Sequence, residues 1–138
     1  MWHGHERADV AVCATSSQTP LFDGNLLAGH ACVVAAGSHD PHSRELDDTV
    51  VRRAAAHGQI VVGNHDSALR ECGDVVMAID NGALDPERLI DLGQMIGSDI
   101  ALGRDTAAGL HVFKRSGVGW EDLVVALAVL QQSAGSRL

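Results

Sequence analysis

The chain has 138 residues, 46% hydrophobic and 20% charged, with two Trp, two Phe and no Tyr, which fits about one folded domain with an aliphatic core. Ten Lys and Arg against eighteen Asp and Glu leave a net charge of −8, and Lys114 is the only lysine, which excludes a phosphate-tracking basic surface and with it nucleic acid as a partner. The longest apolar run, residues 123–130, is far shorter than a membrane span needs, and no basic-then-apolar leader opens the chain, so no membrane role is expected.

Residues 1–7 read as a frayed N-terminus. Three nearly pure apolar runs follow: ADVAVCA from Ala8, ACVVAA from Ala31 and QIVVG from Gln59, each closed by small or polar residues. Runs of this length fit strands buried on both faces. Cys13 and Cys32 lie inside the first two, and with Cys72 they read as buried reduced thiols, which points to the cytoplasm. Between the second and third runs, RELDDTVVRRAAAH repeats Leu46, Val50, Val51 and Ala54 at helical spacing behind an acidic first turn of Glu45, Asp47 and Asp48. A strand, a helix and a strand in this order imply a parallel sheet.

Further on, HDSALRECG predicts a helix stopped by Gly73. DPERLIDLGQMIG predicts another, capped by Asp85, with Pro86 at its first position and Gly97 at its end. GSDIALGRDTAAG reads as a surface connection, and LHVFK, residues 110–114, as a fourth strand. The last pattern, WEDLVVALAVLQQ, is helical and apolar all round, so it needs cover on every side.

In an open parallel sheet the C-terminal strand ends share one edge, and ligands bind in the crevice there. Here those ends carry ATSSQTP, AGSHDPHS, GNHDS and KRSG. All four are small and polar, as a shared ligand face requires, although turns and helix caps draw on the same residue types. GNHD, residues 63–66, also resembles the strand-end fragment with which metallophosphoesterases place Asn and His on a metal pair. Two divalent ions need six or more ligands, and the first strand end offers none, so no metal site is expected. Ser16, His39 and Asp66 make a triad by residue type only, because the Gly-x-Ser-x-Gly elbow is missing.

Taken together, ATSS with TP following, GS-x-x-P-x-x-RELDD, GNHD, LIDLGQMIG and FK-x-x-G followed by ED resemble, in order and spacing, the second half of ornithine cyclodeaminase and mu-crystallin relatives. The resemblance covers about nine tenths of the chain, from Ala8 to Gln132. It implies an α/β fold: a partial Rossmann-like parallel sheet flanked by helices over residues 8–117, then a C-terminal helix and tail over 118–138. It also implies NAD or NADP as cofactor and a small amino or imino acid as substrate. Family members convert L-ornithine to proline and ammonia, reduce ketimines or act as alanine dehydrogenases.

Position by position, the resemblance lays Thr15 and Ser16 along the dinucleotide, sets Val34, Ala36 and Gly37 behind the nicotinamide, and brings Lys114, Arg115, Ser116 and Gly117 toward its carboxamide. His39, with Asp40 beside it, takes the place of the cyclodeaminase Asp that handles protons at the substrate amine, and an imidazole suits acid–base work near neutral pH. Arg115 replaces a small Ser of relatives. No Gly-x-Gly-x-x-Gly turn, which would hold the pyrophosphate, precedes Ala8. The resemblance therefore implies a truncated form with impaired activity alone, whose C-terminal helix seeks the family's N-terminal domain or a second copy. A non-catalytic NAD(P)H-binding or oligomerisation module is the alternative.

Overall fold

The β-branched and small apolar runs form strands, and the segments between and after them supply the helices. The structure is a computed structural model that describes residues 8–97, 109–117 and 119–135. In chain order the elements are β1 (Val10–Cys13), β2 (Cys32–Ala35), α1 (Asp48–His57), β3 (Gln59–Val62), α2 (His65–Glu71), α3 (Gly73–Asp80), β4 (Leu89–Asp91), α4 (Leu92–Gly97), β5 (His111–Lys114) and α5 (Gly119–Gly135). The strands make one sheet in the order β1-β2-β5-β3-β4, and every pair is parallel. β5 enters between β2 and β3, so the unit β2–α1–β3 crosses over a strand that arrives last.

Register aligns Cys13, Ala35, Lys114, Val62 and Asp91 at the C-terminal end of the five strands. On the face toward α1, Val33, Ala35, Ile60, Val62 and Val112 pack in one cluster with Val50, Val51 and Ala54 of the helix. Burying each Val or Ile side chain among these stabilises the fold by about 1.5–3 kcal/mol, before the entropy of ordering it is set against the gain.

Three expectations are corrected. The helix expected from the RELDD run starts later: Asp47 is its N-cap, its carboxylate accepting from the Val50 amide at 2.8 Å. Glu45 and Leu46 stay outside because their amides donate to Asp74 Oδ1, both at 2.7 Å, a tertiary bond that competes with helical pairing. Gly73 does not simply end a helix. Cys72, extended at φ −88° and ψ 97°, closes α2 and opens α3, and Gly73 begins the second helix. A Cβ there would lie 2.0 Å from the Ser43 carbonyl oxygen, so the tight packing of α3 on that turn needs glycine.

The third correction concerns DPERLIDLGQMIG. Asp85 does cap, with Pro86 at the first position, but only a single 3-10 turn over Pro86–Arg88. The chain then extends as β4 before α4 ends at Gly97. Local propensity there is helical, yet the open edge of β3 offers Leu89, Ile90 and Asp91 a complete ladder with Ile60, Val61 and Val62, and the ladder prevails. The expected surface connection falls largely outside the described residues.

α5 forms as its pattern requires, with Glu121 and Asp122 in its first turn. Its Leu123, Val124, Val125, Leu127, Val129 and Leu130 are exposed, so no described part of the chain supplies their cover. At the sheet margin Val10 and Val12 are exposed too. No helix among the described residues is long and apolar enough to cross a membrane.

Candidate functional site at the strand ends

The four strand-end loops stand side by side in the order of the sheet. Successive backbone bonds stitch them: Ala36 N donates to Cys13 O at 2.8 Å, Arg115 N to Ala35 O at 3.1 Å, and Gly63 N to Lys114 O at 3.1 Å. Thr15 and Ser16 after β1, Ala36, Gly37, His39 and Asp40 after β2, and Arg115, Ser116 and Gly117 after β5 are thereby brought to one edge. The loop after β3 joins them. Val34 lies within β2 on the face opposite α1 and is half-buried.

Under this edge runs a buried polar network. Glu45, fully buried, accepts from Thr15 N at 2.6 Å and from the Thr15 hydroxyl at 2.8 Å with Oε1, and from Gly37 N at 2.9 Å with Oε2. Asp74, at the start of α3, holds the Glu45 and Leu46 amides with Oδ1. Its Oδ2 lies 3.0 Å from Lys114 Nζ as a contact of charges, without the alignment of a hydrogen bond. Lys114 Nζ also donates to Ser38 O at 2.7 Å. One cation and two carboxylates thus join β1, β2, β5, α3 and the approach to α1. Buried charges persist where such partners are supplied.

The network shifts its neighbours' ionisation. Burial alone would raise the Glu45 carboxyl, but the Thr15 and Gly37 amides, the Thr15 hydroxyl and the Lys114 charge together hold it below its ordinary value. Burial pushes the Cys13 thiol up to about 11, and the negative charges of Glu45 and Asp74 push the same way. Cys13, Cys32 and Cys72 are all free thiols.

Close approach defines the junction of β1 and β2. A Cβ on Gly37 would lie 2.1 Å from Thr15 O and 2.3 Å from Thr15 N, so only glycine lets the two loops touch. His39 is exposed just beyond, its Nδ1 3.3 Å from the Gly37 carbonyl oxygen. Asp40 Oδ1 accepts from His42 N at 2.7 Å and tightens the same loop. The Lys114 side chain turns inward to the network, which leaves Arg115, Ser116 and Gly117 as that loop's outward residues. Arg115 is paired with Glu121 at the start of α5. Arg115, Ser116 and Gly117 line a hollow of about 80 Å³ together with Gly63, Asn64 and Ser67. A larger cavity of about 350 Å³ lies along the outer margin of β1, lined by Val10, Val12, Leu21 and Phe22 among others.

The GNHD run is absorbed by local structure. Asn64 caps α2 by accepting from Ser67 N at 2.9 Å, and the His65 amide donates to Asp91 Oδ2 at 3.0 Å. Among the described residues no three His, Cys, Asp or Glu side chains converge to hold a metal ion. Sequence reasoning missed Glu45 and Asp74 as parts of this site. The signal was two acidic residues, one in RELDD and one at a helix start, whose partners are distant in sequence.

Comparison with known proteins agrees with this geometry. Residues 3–137 match the sequence model described as the Ornithine cyclodeaminase/mu-crystallin family. The chain is 30% identical over 128 residues to the Delta(1)-pyrroline-2-carboxylate reductase of Colwellia psychrerythraea, covering 92% of this chain and 39% of that protein. Among solved structures, a probable ornithine cyclodeaminase from Bordetella pertussis Tohama I superposes with a TM-score of 0.84 at 36% identity, over 96% of this chain and 41% of that one. The iminosuccinate reductase of Paracoccus denitrificans, in complex with NAD+, superposes with a TM-score of 0.80 at 30% identity, over 94% and 38%. The chain spans about two fifths of the length of these relatives.

Proposed function

The chain belongs to the ornithine cyclodeaminase/mu-crystallin family, whose structures include NAD-bound members, and from that premise we propose that its strand ends form one wall of an NAD(P)-dependent site for small amino or imino acids. The reaction is reduction of a ketimine or conversion of L-ornithine to proline and ammonia. The observation that carries this reading is the stitched edge itself, where four polar loops stand in line at the C-terminal ends of parallel strands, the position at which such sheets bind dinucleotides.

The residues fit the cofactor along this wall. Ala36, Gly37 and Gly117 leave the strand ends open to close approach, Thr15, Ser16 and Ser116 offer hydroxyls, and Val34 offers an apolar side chain. When bound, the nicotinamide supplies hydride exchange with the substrate carbon. His39 is the group that moves the proton at the substrate nitrogen: with Nδ1 against the Gly37 carbonyl, Nε2 is left for the substrate, and Asp40 holds the loop that carries it. Arg115 recognises the substrate carboxylate by exchanging it for Glu121. Lys114 serves from below, by holding Ser38 and Asp74.

The pyrophosphate-binding glycine run is not among these 138 residues. The remainder of the family's fold supplies that run and the opposite wall as a second body docking on α5 and the β1 margin, and without it activity is impaired. The exposed apolar side chains of both elements support this. They equally favour a non-catalytic role as a cofactor-binding oligomerisation module.

Titrating NADH and NADPH while following fluorescence tests the reading. Weak binding by the chain alone and saturable binding with a Kd on the order of micromolar once the second body is added are expected, and absence of saturation with the second body present overturns it. Turnover of Delta(1)-pyrroline-2-carboxylate in the presence of the second body separates enzyme from module. His39→Ala should lower that turnover more than it weakens NADH binding.

A further inference from the structure

We propose that Glu45 is a positioning residue that fixes the hydrogen-bonding polarity of Thr15, so that the β1 strand end meets the cofactor with an acceptor and not a donor. This rests on the NAD(P) reading above and specifies how one contact of that site is made. A threonine hydroxyl has one proton to donate and two lone pairs to accept with. In an exposed loop the proton is ordinarily free to rotate and suit any partner.

Here the carboxylate of Glu45 removes that freedom. Carrying no proton of its own, it can only accept, and its Oε1 lies 2.8 Å from Thr15 Oγ1. The hydroxyl proton is therefore directed inward. One lone pair is engaged by Ser17 N at 3.2 Å. What remains outward on an exposed threonine is a single acceptor site. Such a site takes an O–H or N–H group, the chemistry of a ribose hydroxyl or a carboxamide amine, and disfavours a phosphate oxygen.

The same carboxylate holds the Thr15 and Gly37 amides, so the acceptor is fixed in place as well as in polarity. Asp74 in turn holds the Glu45 amide, and Lys114 anchors Asp74. Glu45 is fully buried and acts on the cofactor only through Thr15.

The test uses the full chain together with the second body, and NADH as probe. Glu45→Gln keeps the volume but leaves one oxygen for three donors: either its N–H faces Thr15, where it donates to Oγ1 and reverses the polarity, or it faces Gly37 N and releases the loop contact that fixes the acceptor in place. It should raise the NADH Kd by about fivefold, the worth of one hydrogen bond. Thr15→Val should do the same, Thr15→Ser should restore the parent value, and Glu45→Gln combined with Thr15→Val should be no worse than Thr15→Val alone. Val51→Ala, in the core on α1, provides a control for lost stability: its Tm should fall while its Kd stays at the parent value. An unchanged Kd in Glu45→Gln overturns the inference while leaving the functional reading intact. So does an additive loss in the double variant, or a Kd in Val51→Ala that follows its Tm. No NADH binding by the parent chain with the second body present overturns the functional reading, and the role of Glu45 with it.

Discussion

Beneath the strand ends the chain buries charge, and at its margins it exposes aliphatic surface. Lys114 and Asp74 have side chains only 1% and 2% exposed, whereas Leu123, Val125 and Leu130 of α5 are 59%, 63% and 62% exposed. Both regions depart from the usual partition of residue types, and they do so for different reasons. In the network every charge has its counterpart inside the chain, supplied by the turns it ties together. Along α5 and β1 no described part of the chain covers the apolar side chains. The two edges of the sheet repeat the contrast. β4 is three residues long, ends in Asp91 and follows Pro86, features that block further strand pairing. β1 presents Val10 and Val12 with no such guard among the described residues.

The largest effect is expected where the buried charges are cut. Lys114→Met leaves two buried carboxylates without their cation and should cost about 3–5 kcal/mol, read by urea unfolding. A loss below about 1 kcal/mol would mean that water reaches the network. Gly37→Ala comes next: the added methyl meets the Thr15 backbone, and the forced separation of the β1 and β2 loops should cost about 1–3 kcal/mol by the same measurement.

Stability against pH sharpens the comparison from the polar side. Glu45 is held below its ordinary value of 4.5, so its contribution is complete above that pH and is lost as pH falls through its lower folded value. Glu45→Gln should flatten the acid limb. Cys13 is raised from 9.0 to about 11, so its contribution is complete below pH 9 and is lost as pH rises toward 11, by at most about 1.4 kcal/mol per pH unit. Cys13→Ala should remove that alkaline slope.

The smallest effect on stability belongs to α5. Replacing Leu123, Leu127 and Leu130 together by Gln should change unfolding by only about 0.5 kcal/mol, while reducing self-association in sedimentation. A loss above about 2 kcal/mol would place those side chains in a packed interior and end the contrast.

Four of the five strands and the polar strand-end loops were legible in the sequence, three of the strands because an apolar run rich in Val, Ile, Ala and Cys has few other uses than a buried parallel strand. The shared edge of those loops was legible too, since parallel topology alone gathers strand C-termini on one side, whereas the roles of single residues on it came only from the family resemblance. The all-round apolarity of α5 announced a helix in need of cover. β4 was not legible: Leu89, Ile90 and Asp91 carry no strand signal, and they extend because β3 has a free ladder beside them. The insertion of β5 between β2 and β3 was equally hidden, since periodicity gives each strand its faces but not its neighbours. Glu45 looked like an ordinary residue of a helix first turn, and Asp74 like a residue just past a helix stop. Thr15 lies 30 residues from Glu45 and Lys114 lies still farther from Asp74, and only the closing of the sheet brings that amide and that ammonium close to carboxylates sealed from water.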